Sequence, residues 1–163
     1  MKIRKTFLIF AIILLAALVG LYFSNPASVY LYYRLILVLT LLMIISIIWT
    51  LFSLSGLNVE RNARIKRHSA GQIFEERFEI HNGSRLGHLW IEVKDLSPLP
   101  RNRGSRVISQ IGPKQYRSYT SRTLLLRRGA FQLGPTQLIS GDPFGMFASE
   151  KTISNNQQLV VLP

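Results

Sequence analysis

The sequence predicts a membrane protein in two parts: a hairpin of two transmembrane α-helices over residues 1–55, then an all-β antiparallel sandwich over residues 56–163. Three observations predict it. Residues 7–23 and residues 35–54 carry no charge. Beyond them, short stretches alternate apolar and polar residues with period two. Gly, Pro, Asn and Asp punctuate those stretches closely.

The apolar runs hold seventeen and twenty residues. At about 1.5 Å of rise per residue they reach or approach the roughly 30 Å hydrocarbon core. Tyr22, Phe23, Tyr30, Tyr32 and Tyr33 cluster between them, as aromatics do at the water–lipid boundary. Asn25-Pro26 supplies the turn of a tight hairpin. Lys2, Arg4 and Lys5 precede the first span; Arg61, Arg64, Lys66 and Arg67 follow the second; the connection offers only Arg34. The positive-inside rule then places both termini in the cytoplasm. A cleaved signal peptide is the rival reading of the first run, but bulky Tyr22 and Phe23 suit a cleavage region poorly. Cleavage would still leave the C-terminal region cytoplasmic.

All eight acidic residues and sixteen of the twenty basic ones lie at or beyond residue 60, so that part is basic. A basic surface beside a bilayer favours an anionic leaflet, by about 1 kcal/mol per Lys or Arg near it. The seven topology cations are therefore also the candidate lipid contacts. The chain has no cysteine, which excludes disulfides, thiolate metal sites and cysteine nucleophiles.

Residues 55–60 read as a short join. Phe74, Phe78 and Ile80 alternate with Glu75, Arg77 and Glu79, a half-buried strand. His81-Asn82-Gly83-Ser84 then turns the chain, and Leu89, Ile91 and Val93 alternate with Trp90, Glu92 and Lys94. Ser97-Pro98-Leu99-Pro100 breaks that strand, and a polar loop over Arg101–Ser105 leads to a short strand from Val107 to Ile111. Residues 116–124 are rich in β-branched and aromatic residues, with Leu124-Leu125-Leu126 as a buried end. Phe131–Leu133, Gln137–Ile139 and Gln158–Leu162 complete a set of about seven strands, which suits a two-sheet sandwich.

Residues 127–147, RRGAFQLGPTQLISGDPFGMF, are the best-marked segment. Asp142-Pro143-Phe144-Gly145 fits a type I turn, with Asp first, Pro second and Gly fourth. The segment resembles the conserved stretch of the domain-of-unknown-function 58 (DUF 58) family of bacterial and archaeal membrane proteins. The matching residues are Arg128, Gly129, Phe131, Leu133, Gly134 and Pro135, then Asp142, Pro143, Phe144, Gly145 and Phe147; Met146 replaces the usual Leu. The resemblance implies the plasma membrane of a prokaryote and a scaffold or adaptor role. It also implies partners: a MoxR-type AAA+ ATPase and a transglutaminase-like membrane protein. Family members run on into a von Willebrand factor A-like half, which is absent from this sequence.

No constellation in the sequence carries chemistry, so the expectation is a non-enzymatic binding or scaffolding module with no catalytic, cofactor or metal residues. Asp142 superficially echoes the kinase magnesium motif, but a turn-forming Asp that caps its own backbone explains it. Arg128 is a candidate partner for Asp142. His81 and His88 could face each other across a hairpin, yet two histidines without a third donor make a poor metal site. Glu76 points away from Glu75 and Glu79, so they form no acid–base pair. Asp95-Leu96-Ser97 begins like a von Willebrand metal motif, and Pro98-Leu99 breaks it. Tyr116 and Tyr119 fall on opposite strand faces, and nucleic-acid binding through Arg101, Arg103, Arg106, Arg127 and Arg128 is not expected. The alternatives are a membrane-bound, peptidase-like enzyme whose catalytic residues lie outside this chain, and a small lipid-binding structural membrane protein.

Overall fold

A computed structural model describes residues 1–63, 67–99, 104–154 and 157–162. The chain forms two compact units. One comprises residues 1–53 and 141–149, the other residues 54–140 and 150–163.

The first unit holds strand β1 (Lys2–Ile3) and helices α1 (Lys5–Tyr22) and α2 (Val29–Phe52). Their eighteen and twenty-four residues correspond to about 27 and 36 Å of helix. Both are long and apolar enough to cross a membrane. Leu8, Ile12, Leu15, Leu37, Leu41 and Leu51 are exposed, and the buried helical residues are mostly small or polar: Ala17, Leu39, Ser46 and Thr50. A helix apolar on every outward face suits lipid, and small residues let two helices approach closely. Gly20 shows that approach, since a Cβ there would lie 2.4 Å from the Tyr32 ring. The Asn25 carbonyl accepts from the N–H of Ser28 at 2.9 Å and of Val29 at 3.1 Å, so Asn25-Pro26 makes the expected turn. The second helix starts six residues before its apolar run. Tyr30, Tyr32, Tyr33 and Arg34 therefore sit on α2 rather than in a loop, because nothing after Pro26 breaks the helix.

The second unit is β-rich: β2 (Leu57–Ala63), β3 (Arg67–Ser69), β4 (Ile73–Asn82), β5 (His88–Asp95), β6 (Arg106–Ile111), β7 (Tyr116–Leu124), β8 (Gly129–Leu133), β9 (Thr136–Gly141), β10 (Phe147–Ile153) and β11 (Gln157–Leu162), with Gly141 of β9 and Phe147–Ser149 of β10 belonging to the first unit. One sheet runs β2-β4-β7, a second β10-β9-β5-β6 and a third β3-β11-β8. Leu57, Val59, Phe78, Ile80 and Tyr119 of the first sheet pack on Ile91, Val93, Ile111 and Leu138 of the second, the core of a sandwich. Phe74, Leu125, Leu133, Leu159 and Val161 build a smaller core under the third sheet. Period-two burial along β4 follows its sequence alternation.

Four expectations change. Most of the join at residues 55–60 is strand β2, whose Leu57, Val59 and Arg61 alternate inward. The β11–β3 pair is parallel, so the sheets are mainly rather than wholly antiparallel. The turn after His81 does not close a hairpin. Strand β4 pairs with β2 and β7, whereas β5 pairs with β6 and β9, so the chain crosses between sheets there. Of Leu124-Leu125-Leu126, only Leu125 is buried. Arg64, Lys66, Arg101 and Arg103 lie outside the described residues.

Candidate functional site

The second unit centres on a buried ion network. Strand β2 turns Arg61 inward opposite Phe78 of β4, and the guanidinium lies 5.1 Å from the Phe78 ring centroid. Arg61 donates through Nη1 and Nη2 to the two Asp95 carboxylate oxygens, at 2.9 and 3.0 Å, and through Nε to the Glu76 carboxylate. Nη1 also donates to Ser97 Oγ at 2.9 Å. Ser97 in turn donates to Asp95 Oδ1 at 2.6 Å and accepts the Gly134 N–H at 2.7 Å. Arg61, Glu76, Asp95 and Ser97 are all buried.

The planar guanidinium fork matches a carboxylate bidentately, which is why Arg rather than Lys suits this position. Burial pushes the Glu76 carboxyl above its usual range; the hydrogen bond and charge of Arg61 oppose the shift without cancelling it. Burial likewise raises the Tyr119 phenol, with Asp95 adding to the effect. Tyr119 donates to the Gly104 carbonyl at 2.6 Å and stacks on Phe78. Both polar side chains of Asp95-Leu96-Ser97 are thus engaged by Arg61.

The first unit contains the Asp-Pro-Phe-Gly corner. Asp142 is fully buried. Its Oδ1 accepts the Phe147 N–H at 2.7 Å, and Oδ2 accepts those of Phe144 and Met146 at 3.0 and 3.2 Å. The Gly145 N–H donates to the Asp142 carbonyl at 3.2 Å, and Gly145 has φ +70°, which favours glycine. The turn read from the sequence is therefore present, and the Asp142 carboxylate caps it. Arg128 is an exposed residue just before β8; the partners of Asp142 are the backbone of its own turn.

Helix α1 and β1 hold this corner. Lys2 and Ile3 pair with Ala148 and Phe147, the Arg4 N–H donates to the Met146 carbonyl at 3.0 Å, and Thr6 Oγ1 donates to the Gly145 carbonyl. The Phe7 and Phe147 rings lie 5.4 Å apart. From the other helix, the Thr50 carbonyl accepts from Ser149 Oγ at 3.1 Å.

The remaining signature residues are backbone devices. Gly129 and Gly134 have φ +143° and +102°, and the Pro135 carbonyl accepts the Leu96 N–H at 3.0 Å. Pro143 is exposed and Phe144 half exposed. Among the topology cations, Lys2, Arg4, Lys5 and Arg67 are exposed, whereas Arg61 is in the sandwich core.

A third constellation lies on the outer face of the β2-β4-β7 sheet. Glu60 stands directly opposite Glu79, and His81 follows two residues along β4. One donor atom from each of Glu60, Glu79 and His81 lies within 4.8 Å of the others, a set that could hold a metal ion. Arg77 Nε pairs with Glu79 at 3.0 Å. His88 is buried and on another sheet, so it does not face His81 across a hairpin. The neighbour that sequence reasoning missed is Glu60, on the segment read as a join. Glu76 does face away from Glu75 and Glu79, as its parity requires.

The class this fold defines is a pair of long apolar helices joined to a mainly antiparallel β-sandwich. No known family model matches the chain, and no curated protein matches it. Among solved structures, a CARDB domain from Pyrococcus furiosus, crystallised in complex with di-metal ions, is 14% identical with a TM-score of 0.42 over 64% of this chain and 91% of that one. A superoxide reductase (neelaredoxin) from Ignicoccus hospitalis is 14% identical with a TM-score of 0.32 over 68% of this chain and 86% of that one.

Proposed function

We propose that this chain is a membrane-anchored, non-enzymatic binding module: α1 and α2 hold it in a prokaryotic plasma membrane with both termini cytoplasmic, and the sandwich offers the binding surface. One observation carries the reading. The Asp-Pro-Phe-Gly corner, the most chemistry-like motif of the sequence, folds with the two apolar helices and commits both Asp142 oxygens to its own turn. That engagement supports a structural role for the motif. The motif resemblance to the DUF 58 family supports a scaffold or adaptor role beside a MoxR-type AAA+ ATPase and a transglutaminase-like membrane protein. Lys2, Arg4 and Lys5 before the first helix suit an anionic leaflet.

The test uses the full chain in native membranes. Retention through alkaline carbonate washing and co-purification of an AAA+ ATPase in mild detergent are expected. Release by carbonate would sink the anchor. Retention without the ATPase would remove the adaptor role and leave the anchor.

A second reading is favoured by Glu60, Glu79 and His81. Two carboxylates and an imidazole at this spacing suit a divalent cation of the zinc type. On that reading the sandwich face is a metal-associated surface, which brings the module nearer to the enzyme alternative.

A further inference from the structure

The corner that carries the signature also shapes an apolar groove within the first unit. Ile9, Phe10 and Ile13 of α1, Leu42 of α2, and Phe144 and Met146 of the corner line a space of about 210 Å³. Thr6 stands at one end, where its hydroxyl donates to the Gly145 carbonyl. From Thr6 to Ile13 the groove follows α1 for about 10 Å. Ile9 and Ile13 are 60% and 47% exposed on a helix apolar on every outward face, a surface that suits lipid.

Phe144 is the anomaly. It is an aromatic side chain at a turn tip, 49% exposed, where turns usually carry polar residues. Apart from Met146 of the same corner, its neighbours in the groove are residues of α1 and α2. Exposure of a large ring in water is unfavourable. Aromatic rings are favoured at the water–lipid boundary. Lys5 opens α1 one residue before Thr6, and Lys2 lies three residues further back. Cations at that level match anionic headgroups above an acyl chain.

We infer that the Asp-Pro-Phe-Gly corner is a membrane-inserted wedge: Phe144 enters the bilayer beside the first turns of α1, and an acyl chain of the surrounding lipid fills the groove between it and Ile9, Ile13 and Leu42. The cap by Asp142 favours a turn there, since its carboxylate accepts the N–H groups of Phe144, Met146 and Phe147 and its carbonyl accepts that of Gly145. The inference rests on α1 and α2 being membrane spans, and the experiment separates the two.

The chain has no cysteine, so one introduced thiol takes a nitroxide label at a single place. The full chain is reconstituted in vesicles of phosphatidylcholine and phosphatidylglycerol with the label at Phe144→Cys, at Leu15→Cys in mid α1, or at Ser118→Cys on an exposed sheet face. Collision with oxygen, concentrated in lipid, is compared with collision with a water-soluble nickel chelate. Phe144→Cys is expected to favour oxygen several-fold, like Leu15→Cys and unlike Ser118→Cys. If Leu15→Cys reads lipid while Phe144→Cys reads water, the wedge is overturned and the spans stand. If both read water, the membrane reading itself falls. Low access to both reagents at Phe144→Cys means protein covers the groove, which also overturns the proposal. A second variant, Phe144→Trp with Trp49→Phe and Trp90→Phe, guards against disturbance by the label: lipids brominated high on the acyl chain should quench it and aqueous iodide should not. The reverse pattern overturns the wedge.

Discussion

Arg61 grips Asp95 through two parallel hydrogen bonds, Nη1 to Oδ1 at 2.9 Å and Nη2 to Oδ2 at 3.0 Å, across the interior of the sandwich. The two residues are thirty-four positions apart and on different sheets. Through Ser97 the same guanidinium reaches the Gly134 N–H, so one side chain links the signature to both faces of the core.

Arg61→Met should therefore be among the most destabilising changes outside the apolar core. It leaves Asp95 and Glu76 buried without their cation, a situation that costs about 3–5 kcal/mol. Denaturant unfolding of the full chain in detergent measures it. Arg61→Lys should recover only part, because an ammonium cannot make the bidentate contact. A loss below about 1 kcal/mol for Arg61→Met would show that the pair behaves as a surface ion pair.

Glu76 makes stability depend on pH, and the sign follows from its raised carboxyl. The folded state holds the Glu76 proton more tightly than the unfolded chain, whose value is 4.5. Its contribution is thus fully present below pH 4.5 and lost as pH climbs through the higher folded value. Glu76→Gln removes that dependence. The stability of the variant relative to the parent should rise with pH above that point, in unfolding curves taken between acid and neutral pH. A relative stability that falls with pH would mean that Arg61 outweighs burial.

What the sequence made legible was local. The two helices stood out because an uncharged run needs no partner to be recognised, and the Asp142 turn because Asp, Pro and Gly each constrain the backbone at a fixed place. Strand β4 was legible through Phe74, Phe78 and Ile80. The misses that bear on the candidate sites are non-local. Arg61 counted as a topology charge because its position after a span explained it completely; only its parity with Leu57 and Val59 hinted that it faces inward. The parallel β3–β11 pair joins residues some ninety positions apart. His81 was matched with His88 on the assumption that a short turn closes a hairpin. The crossover between sheets puts Glu60 beside it instead.

That placement gives a metal prediction. Zinc should raise the unfolding temperature of the parent chain, since a ligand bound only by the folded state stabilises it. Glu60→Gln and His81→Ala should each weaken zinc binding by more than about ten-fold, read by calorimetric titration. His88→Ala should not weaken it, because His88 lies on another sheet. Arg77→Ala should tighten it by removing the cation that now pairs with Glu79. Equal affinity in the parent, Glu60→Gln and His81→Ala would place any bound zinc elsewhere.

Asp142 separates a structural signature from a catalytic one. Its two oxygens accept three backbone N–H groups, and hydrogen bonds to a charged group are worth about 1.5–3 kcal/mol each without being additive. Asp142→Ala should destabilise the first unit by about 3 kcal/mol or more, read as faster proteolysis at the corner and earlier thermal unfolding. Asp142→Asn should fall between, because one amide oxygen replaces two carboxylate oxygens and the amide nitrogen faces donors. Arg128→Ala, at an exposed position, should change stability by less than about 0.5 kcal/mol, and the double variant should be additive. Strong coupling between the two would instead show that Arg128 takes part in the cap. An Asp142→Ala chain that stays folded and anchored yet loses its biological activity would return Asp142 to the list of reacting groups.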